Sequence, residues 1–156
     1  MAGWVTINAA YLRRRMPVEW PKLKNIADET HDVSFDDVVV DVIANVVERV
    51  RGAVSAFPGT RSLGESGTVP PELAGAAVTL CRLELHGVYP GVGSLQDETR
   101  KALLKSADDQ LKQAAAGKMG ITPPDTAAAS APAEAGPVWG GDSVVEFPDT
   151  ETEEGP

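Results

Sequence analysis

The sequence predicts an all-α protein: a small helical bundle followed by a flexible acidic C-terminal tail. Three observations lead there. Apolar residues recur at helical spacing through three long runs. Loops rich in glycine and proline separate those runs. Composition then changes abruptly after Ile121, where Pro, Ala and Ser take over. The length of 156 residues fits one folded domain. We therefore expect a helical domain over residues 1–122, a Pro/Ala-rich linker over 123–137 and an acidic tail with an apolar docking segment over 138–156.

The first segment is "TINAAYLRRRM". Thr6 is a candidate N-cap for a short helix carrying Ile7, Ala10 and Tyr11 inward, with Leu12 beside them. Pro17 stops it, because proline lacks an amide donor and restricts the residue before it. Residues 17–33 contain Pro17, Pro21, Asn25 and Asp32 and are expected to form an irregular connection. Trp20, Leu23 and Ile26 would pin that connection to the core.

"SFDDVVVDVIANVVERVRGAVSAF" runs from Ser34 to Phe57 and is rich in valine, so a strand competes. Helix is favoured by a Ser34–Asp37 capping-box variant and by the absence of Gly or Pro before Gly52. Phe35, Val39, Val42, Ile43, Val46, Val50, Ala53 and Phe57 fall in one wide stripe. Val40 and Val47 lie beside it and widen it, so the helix must cover more than one neighbour, either within the domain or on another subunit.

After a loop punctuated by Gly and Pro comes "VPPELAGAAVTLCRLEL". Pro70 and Pro71 suit the entry and first turn of a helix, where a missing amide hydrogen costs nothing. Glu72 suits its positive end. Leu73, Ala76, Ala77, Leu80, Cys81 and Leu83 form the apolar surface, the small residues from Ala74 to Ala77 permit close approach, and Gly87 is expected to end the helix. Ser94 and Asp97 repeat the capping pattern before a last helix, "DETRKALLKSADDQLKQAAAGK". Its inward face is Leu103, Leu104, Ala107, Leu111 and Ala114 or Ala115, and Gly117 is its stop. The stretch that follows, "TPPDTAAASAPAEAG", is a linker by composition.

Charge is distributed unevenly. Residues 123–156 hold eight acids and no Lys or Arg, whereas residues 1–122 hold fifteen acids and fourteen bases, so most of the net charge of −9 sits in the tail. A nearly neutral body argues against broad, non-specific nucleic-acid binding. No run of about 18 apolar residues exists, so no membrane span is expected. The N-terminus lacks a basic region followed by a long apolar run and does not read as a signal peptide. A soluble product made in the cytoplasm is the expectation.

Chemistry-bearing groups are sparse. His31 and His86 belong to no pair at metal-ligand spacing, and the single cysteine excludes both an internal disulfide and a Cys-x-x-Cys site. Cys81 lies on an apolar helix more than one turn from His86, which suits a buried small hydrophobe rather than a nucleophile. The pairs Asp36/Asp37 and Asp108/Asp109 diverge by about 100° on a helix and suit solvated faces. Neither "PGTRSLGESG" nor "PGVGS", the two glycine-rich loops, has the Lys-Ser/Thr ending of a phosphate-binding loop. No catalytic role can be filled, so no enzyme, no cofactor and no metal are expected.

Two features remain. Arg13, Arg14 and Arg15 form the one basic cluster, readable as a solvated helix end favoured by the negative terminus, or as a contact for an acidic partner or DNA phosphate. In the tail, Trp139, Val144, Val145 and Phe147 are apolar residues set among acids. A spacer that only solvates the chain does not need them. They are candidate docking residues, and the alternation around Glu146 would allow strand addition to a neighbouring edge.

The order of these pieces resembles the head–tail connector adaptor proteins of tailed bacteriophages. The resemblance rests on the opening "VTINAAYLRRRM", on a longer helix running into "AVSAFPGT", on the proline-led "VPPELAGAAVTLCRLEL" and on the closing "ALLKSADDQLKQAAAGKMGI". Together they cover most of residues 1–122, and "GGDSVVEFPD" is similar to the short apolar C-terminal segment of such proteins. The resemblance implies a virion protein of the neck between capsid and tail. Copies would form a ring, commonly twelvefold, below the portal protein, extending the DNA channel and offering a platform to the next neck or tail-completion protein. Double-stranded DNA would pass without sequence-specific contact, the valine-rich helix would offer Val40 and Val47 as candidate subunit contacts, and the tail would reach a neighbouring subunit or the portal. An alternative is a small helical DNA-binding or antitoxin-like regulator, which would require a recognition helix with exposed bases. A third is another minor capsid or tail-completion protein of the same particle.

Overall fold

The computed structural model describes residues 3–30, 33–59, 62–91 and 97–125. Five helices and one two-stranded ribbon make up this part. They are β1 (Val5–Thr6), α1 (Ala9–Arg15), α2 (Glu19–Thr30), α3 (Phe35–Ser55), β2 (Thr68–Val69), a 3-10 turn over Pro71–Leu73, α4 (Ala74–Val88) and α5 (Asp97–Ala115). The protein is thus an all-α bundle, with α3, α4 and α5 packed on one another as its core and α1 and α2 laid against α3.

The chain opens differently from the expectation. Thr6 does not cap α1; it pairs with Thr68 in a short antiparallel ribbon, with Val5 opposite Val69. The cap is Asn8, whose Oδ1 accepts the Tyr11 amide at 2.8 Å. Pairing across the ribbon draws Ile7 into the core, 3% exposed. Residues 17–33 are not an irregular connection either, because Glu19–Thr30 is helical. Pro21 is compatible with that helix because it occupies the third helical position, where the amide has no partner within the helix. Trp20, Leu23 and Ala27 supply its buried face.

α3 settles the choice between strand and helix. Valine costs about 0.5 kcal/mol of helix propensity relative to alanine, but burying its side chain returns about 1.5 kcal/mol or more. Phe35, Val39, Val42, Val46, Val47, Val50 and Val54 are all buried. At 100° per residue they cover an arc of roughly 140°. Asp36 and Asp37 complement the positive end of the helix. The Ser34 side chain makes no capping bond, so the capping-box reading fails there.

At the α2–α3–α4 junction, Trp20 meets Phe35 edge-on with ring centroids 5.2 Å apart, and Phe35 meets Tyr89 at 5.8 Å. Tyr89 is the C-cap of α4. The helix therefore runs one residue past Gly87 before it stops. Pro70 and Pro71 do lead the chain into its 3-10 entry turn, as expected. On α5, Ala107, Leu111 and Ala114 face inward, but Leu104 is 40% exposed and lies off the core face. Ser94 lies outside the described residues.

Gly117 closes α5 with a Schellman pattern: its amide reaches the Ala114 carbonyl at 3.1 Å, and the Lys118 amide reaches Gln113 at 2.9 Å. Its φ of 71° is left-handed, and a Cβ there would run into the Phe57 ring. The chain then returns to the N-terminus, where Trp4 Nε1 donates to the Thr122 carbonyl at 2.8 Å. The Thr122 amide and hydroxyl in turn donate to Glu72. Gly117→Ala should lower stability by about 1–3 kcal/mol, through backbone strain added to the ring clash. Gly120→Ala, at a site with open space around it, should stay within about 0.5 kcal/mol of the parent. Urea unfolding of both variants checks this, and equal losses would contradict it.

Candidate functional site

Among the described residues, small side chains create a feature that reads as a docking surface. Ala9 at the start of α1 and Ala44 on α3 leave a trough where two larger residues would meet. The result is an open groove of about 320 Å³, lined by Ile7, Asn8, Ala9, Val40, Ile43, Ala44, Val47, Glu48, Ser66 and Gly67. Val47 is its floor, 2% exposed and covered by its own chain, while Val40 is its rim, 61% exposed. The two valines singled out in the sequence therefore occupy one groove at different depths, and only Val40 is free to meet another surface.

Charges flank the groove on both sides. On α3, the helical positions beyond Val40 and Ala44 belong to Asp37, Asp41 and Glu48, all exposed. On α1, Arg13 lies one turn beyond Ala9 on the same side of the helix and is exposed. Arg14 Nε donates to the Ala10 carbonyl at 3.4 Å. Arg15 lies over the Tyr11 ring, 5.2 Å from its centroid, and donates to its hydroxyl at 3.2 Å. The three arginines occupy the last turn of α1, where cations favour the negative end.

Several other arginines of the body are committed internally. Arg51 was visible in the sequence only as a base on the long helix. In the fold its guanidinium donates to the carbonyls of Glu65 at 2.8 Å, Thr68 at 3.1 Å and Gly64 at 3.1 Å, with the Trp4 ring 5.7 Å away. It ties the loop before β2 to α3 and so shapes the Ser66–Gly67 end of the groove. Arg49 pairs with Asp108 at 2.7 Å, joining α3 to α5. Glu19 receives Arg82 and lies 3.4 Å from His86 Nε2, joining α2 to α4. No sequence signal pointed to the Arg49–Asp108 and Glu19–Arg82 pairs, because each joins residues more than fifty positions apart.

Cys81 is fully buried, and burial pushes its thiol from an ordinary 9.0 up to about 12. That is the environment of a packed hydrophobe rather than a nucleophile. Among the described residues no group of three or more His, Cys, Asp or Glu is placed to hold a metal ion. No helix among them is long and apolar enough to cross a membrane. His31, Trp139, Val144, Val145 and Phe147 lie outside the described residues.

Arg51→Met, which keeps the apolar stem, should cost about 2 kcal/mol, because two half-buried carbonyls and one exposed carbonyl lose a charged donor. Arg49→Ala should cost under about 1 kcal/mol, since its ion pair is exposed. Thermal unfolding separates the two, and an Arg49 loss as large as the Arg51 loss would overturn the assignment. Cys81 should resist a disulfide reagent in the folded chain and react fully in denaturant. The folded thiol keeps its proton where the unfolded one releases it, so this site erodes stability as pH rises from 9.0 towards about 12 and has no influence below that window. Cys81→Ala should flatten that alkaline slope in pH-dependent unfolding, and an unchanged slope would show that the thiol is not its source. No family model, no curated protein sequence and no solved structure matches this chain.

Proposed function

We propose that this protein is a structural subunit of a bacteriophage neck: a head–tail connector adaptor that forms a ring below the portal and carries the DNA channel towards the tail. The observation that carries the reading is the α1–α3 groove, an apolar trough with the exposed Val40 on its rim. A chain whose work is assembly needs such a face and needs no catalytic constellation. The order of helical pieces quoted above adds to this, as does the all-α bundle they build.

The ring would place Val40 at a subunit contact. The exposed acids of α3 would disfavour adhesion of passing DNA. The regulator reading draws less support. It needs exposed bases on a recognition helix, and Arg49 and Arg51, the bases of α3, are held by Asp108 and by loop carbonyls.

Negative-stain microscopy of the chain mixed with the portal protein of the same genome tests the reading. Rings seated on the portal are expected. Val40→Asp should abolish them while leaving the unfolding temperature of the isolated chain within a few degrees of the parent, because the residue is exposed. A chain that ignores the portal, and instead stays bound to DNA at moderate salt, would replace this function with the regulator.

A further inference from the structure

Three features remain without a common purpose: the α1–α3 groove, the exposed Arg13 beside it and the apolar residues of the acidic tail. We infer that they are parts of one device, in which the tail segment 138–147 of the free chain occupies the groove of its own copy. This inference does not depend on the ring or on a portal.

The path of the chain points there. The described part ends at Asp125, in a small cleft shared with Gly3, Trp4, Gly64, Glu65 and Thr68. The next residues of that loop, Ser66 and Gly67, line the end of the groove. The tail therefore departs beside the groove. A linker from 126 to 138 spans about 40 Å when extended, and as a flexible coil about 20 Å. Both lengths suffice to reach a trough whose end is one loop away. Tethering at this range gives an effective concentration of the order of millimolar, so the chain's own tail outcompetes a second copy in dilute solution.

Chemistry matches as well. The groove offers Ile7, Ala9, Val40, Ile43 and Val47 to Trp139, Val144, Val145 and Phe147. The same tail carries Asp142, Glu146 and Asp149. Those acids are repelled by Asp37, Asp41 and Glu48 on the α3 side and attracted to Arg13 on the α1 side. Charge thus sets which way the segment lies and gives the basic cluster a partner within the chain. A neighbouring subunit that uses Val40 would have to displace the tail first.

Paramagnetic relaxation in the full-length chain tests this directly. Cys81 is buried, so Ser143→Cys supplies the one accessible thiol for a nitroxide. The amide signals of Ile7, Ala9, Val40, Ala44 and Gly67 should broaden severalfold, and the effect should survive dilution. It should be absent when nitroxide-bearing chains are mixed with isotope-labelled chains that carry no nitroxide. Ala44→Arg, at an exposed position that blocks the trough, should restore those signals without unfolding the bundle. Unbroadened groove signals would overturn the proposal. Broadening in the mixed sample would assign the groove to a second copy instead, and persistence in the Ala44→Arg chain would place the tail elsewhere.

Discussion

The burial of α3 is the constraint on which the rest of the structure depends. Its valines are poor helix formers, and an isolated helix of this composition would not persist in water. It forms because Val39, Val46, Val50 and Val54 are fully enclosed. Enclosing an arc of roughly 140° takes more than one neighbour. α4 and α5 cover one side, while α1 and the β ribbon cover the other. Each surrounding element then requires its own anchor. The Glu19–Arg82 pair anchors α2, the Arg49–Asp108 pair anchors α5, and Arg51 anchors the loop before β2.

The groove follows from the same geometry. The cover on the α1 side is a helix of only seven residues, beginning with two alanines. It spans the lower part of the α3 arc and leaves the flank at Val40 and Ala44 open. Val40 is the one large apolar residue of α3 that lies exposed, and that departure calls for a partner. The ends of the chain meet close by. Trp4, Thr122 and Glu72 knot the N-terminus to the last described segment, which ends at Asp125 beside Glu65 and Thr68, next to the Ser66–Gly67 end of the groove. Position and composition thus converge on one face of the molecule.

Much of the architecture was legible without coordinates, because long helices carry their own signal. The stripe from Phe35 to Val50, the proline-led entry at Pro70 and Pro71, the burial of Cys81 and the stop at Gly117 all follow from local chemistry: periodicity, a missing amide hydrogen, an apolar setting and a left-handed turn. The readings that failed did so where local rules conflict. Pro21 marks a loop by composition, but at the third position of α2 its missing donor is not needed. Thr6 and Ser34 are good caps by type. Ribbon pairing with Thr68 takes Thr6 away, and the cap is supplied by Asn8 instead.

By itself the sequence determined the helical class, the division between a nearly neutral body and an acidic tail, and the wide apolar stripe of the valine-rich helix. Those are properties of composition and spacing within one segment. Only the tertiary structure decided that Val47 is floor and Val40 is rim, that Arg51 and Arg49 are spent on internal bonds, and that Asp125 lies one loop away from the groove. The reason is physical. Which flank of a helix stays open depends on the size of residues brought in from distant segments. Ala9, Ser66 and Gly67 meet α3 there only because a two-residue ribbon and a single guanidinium hold them in place.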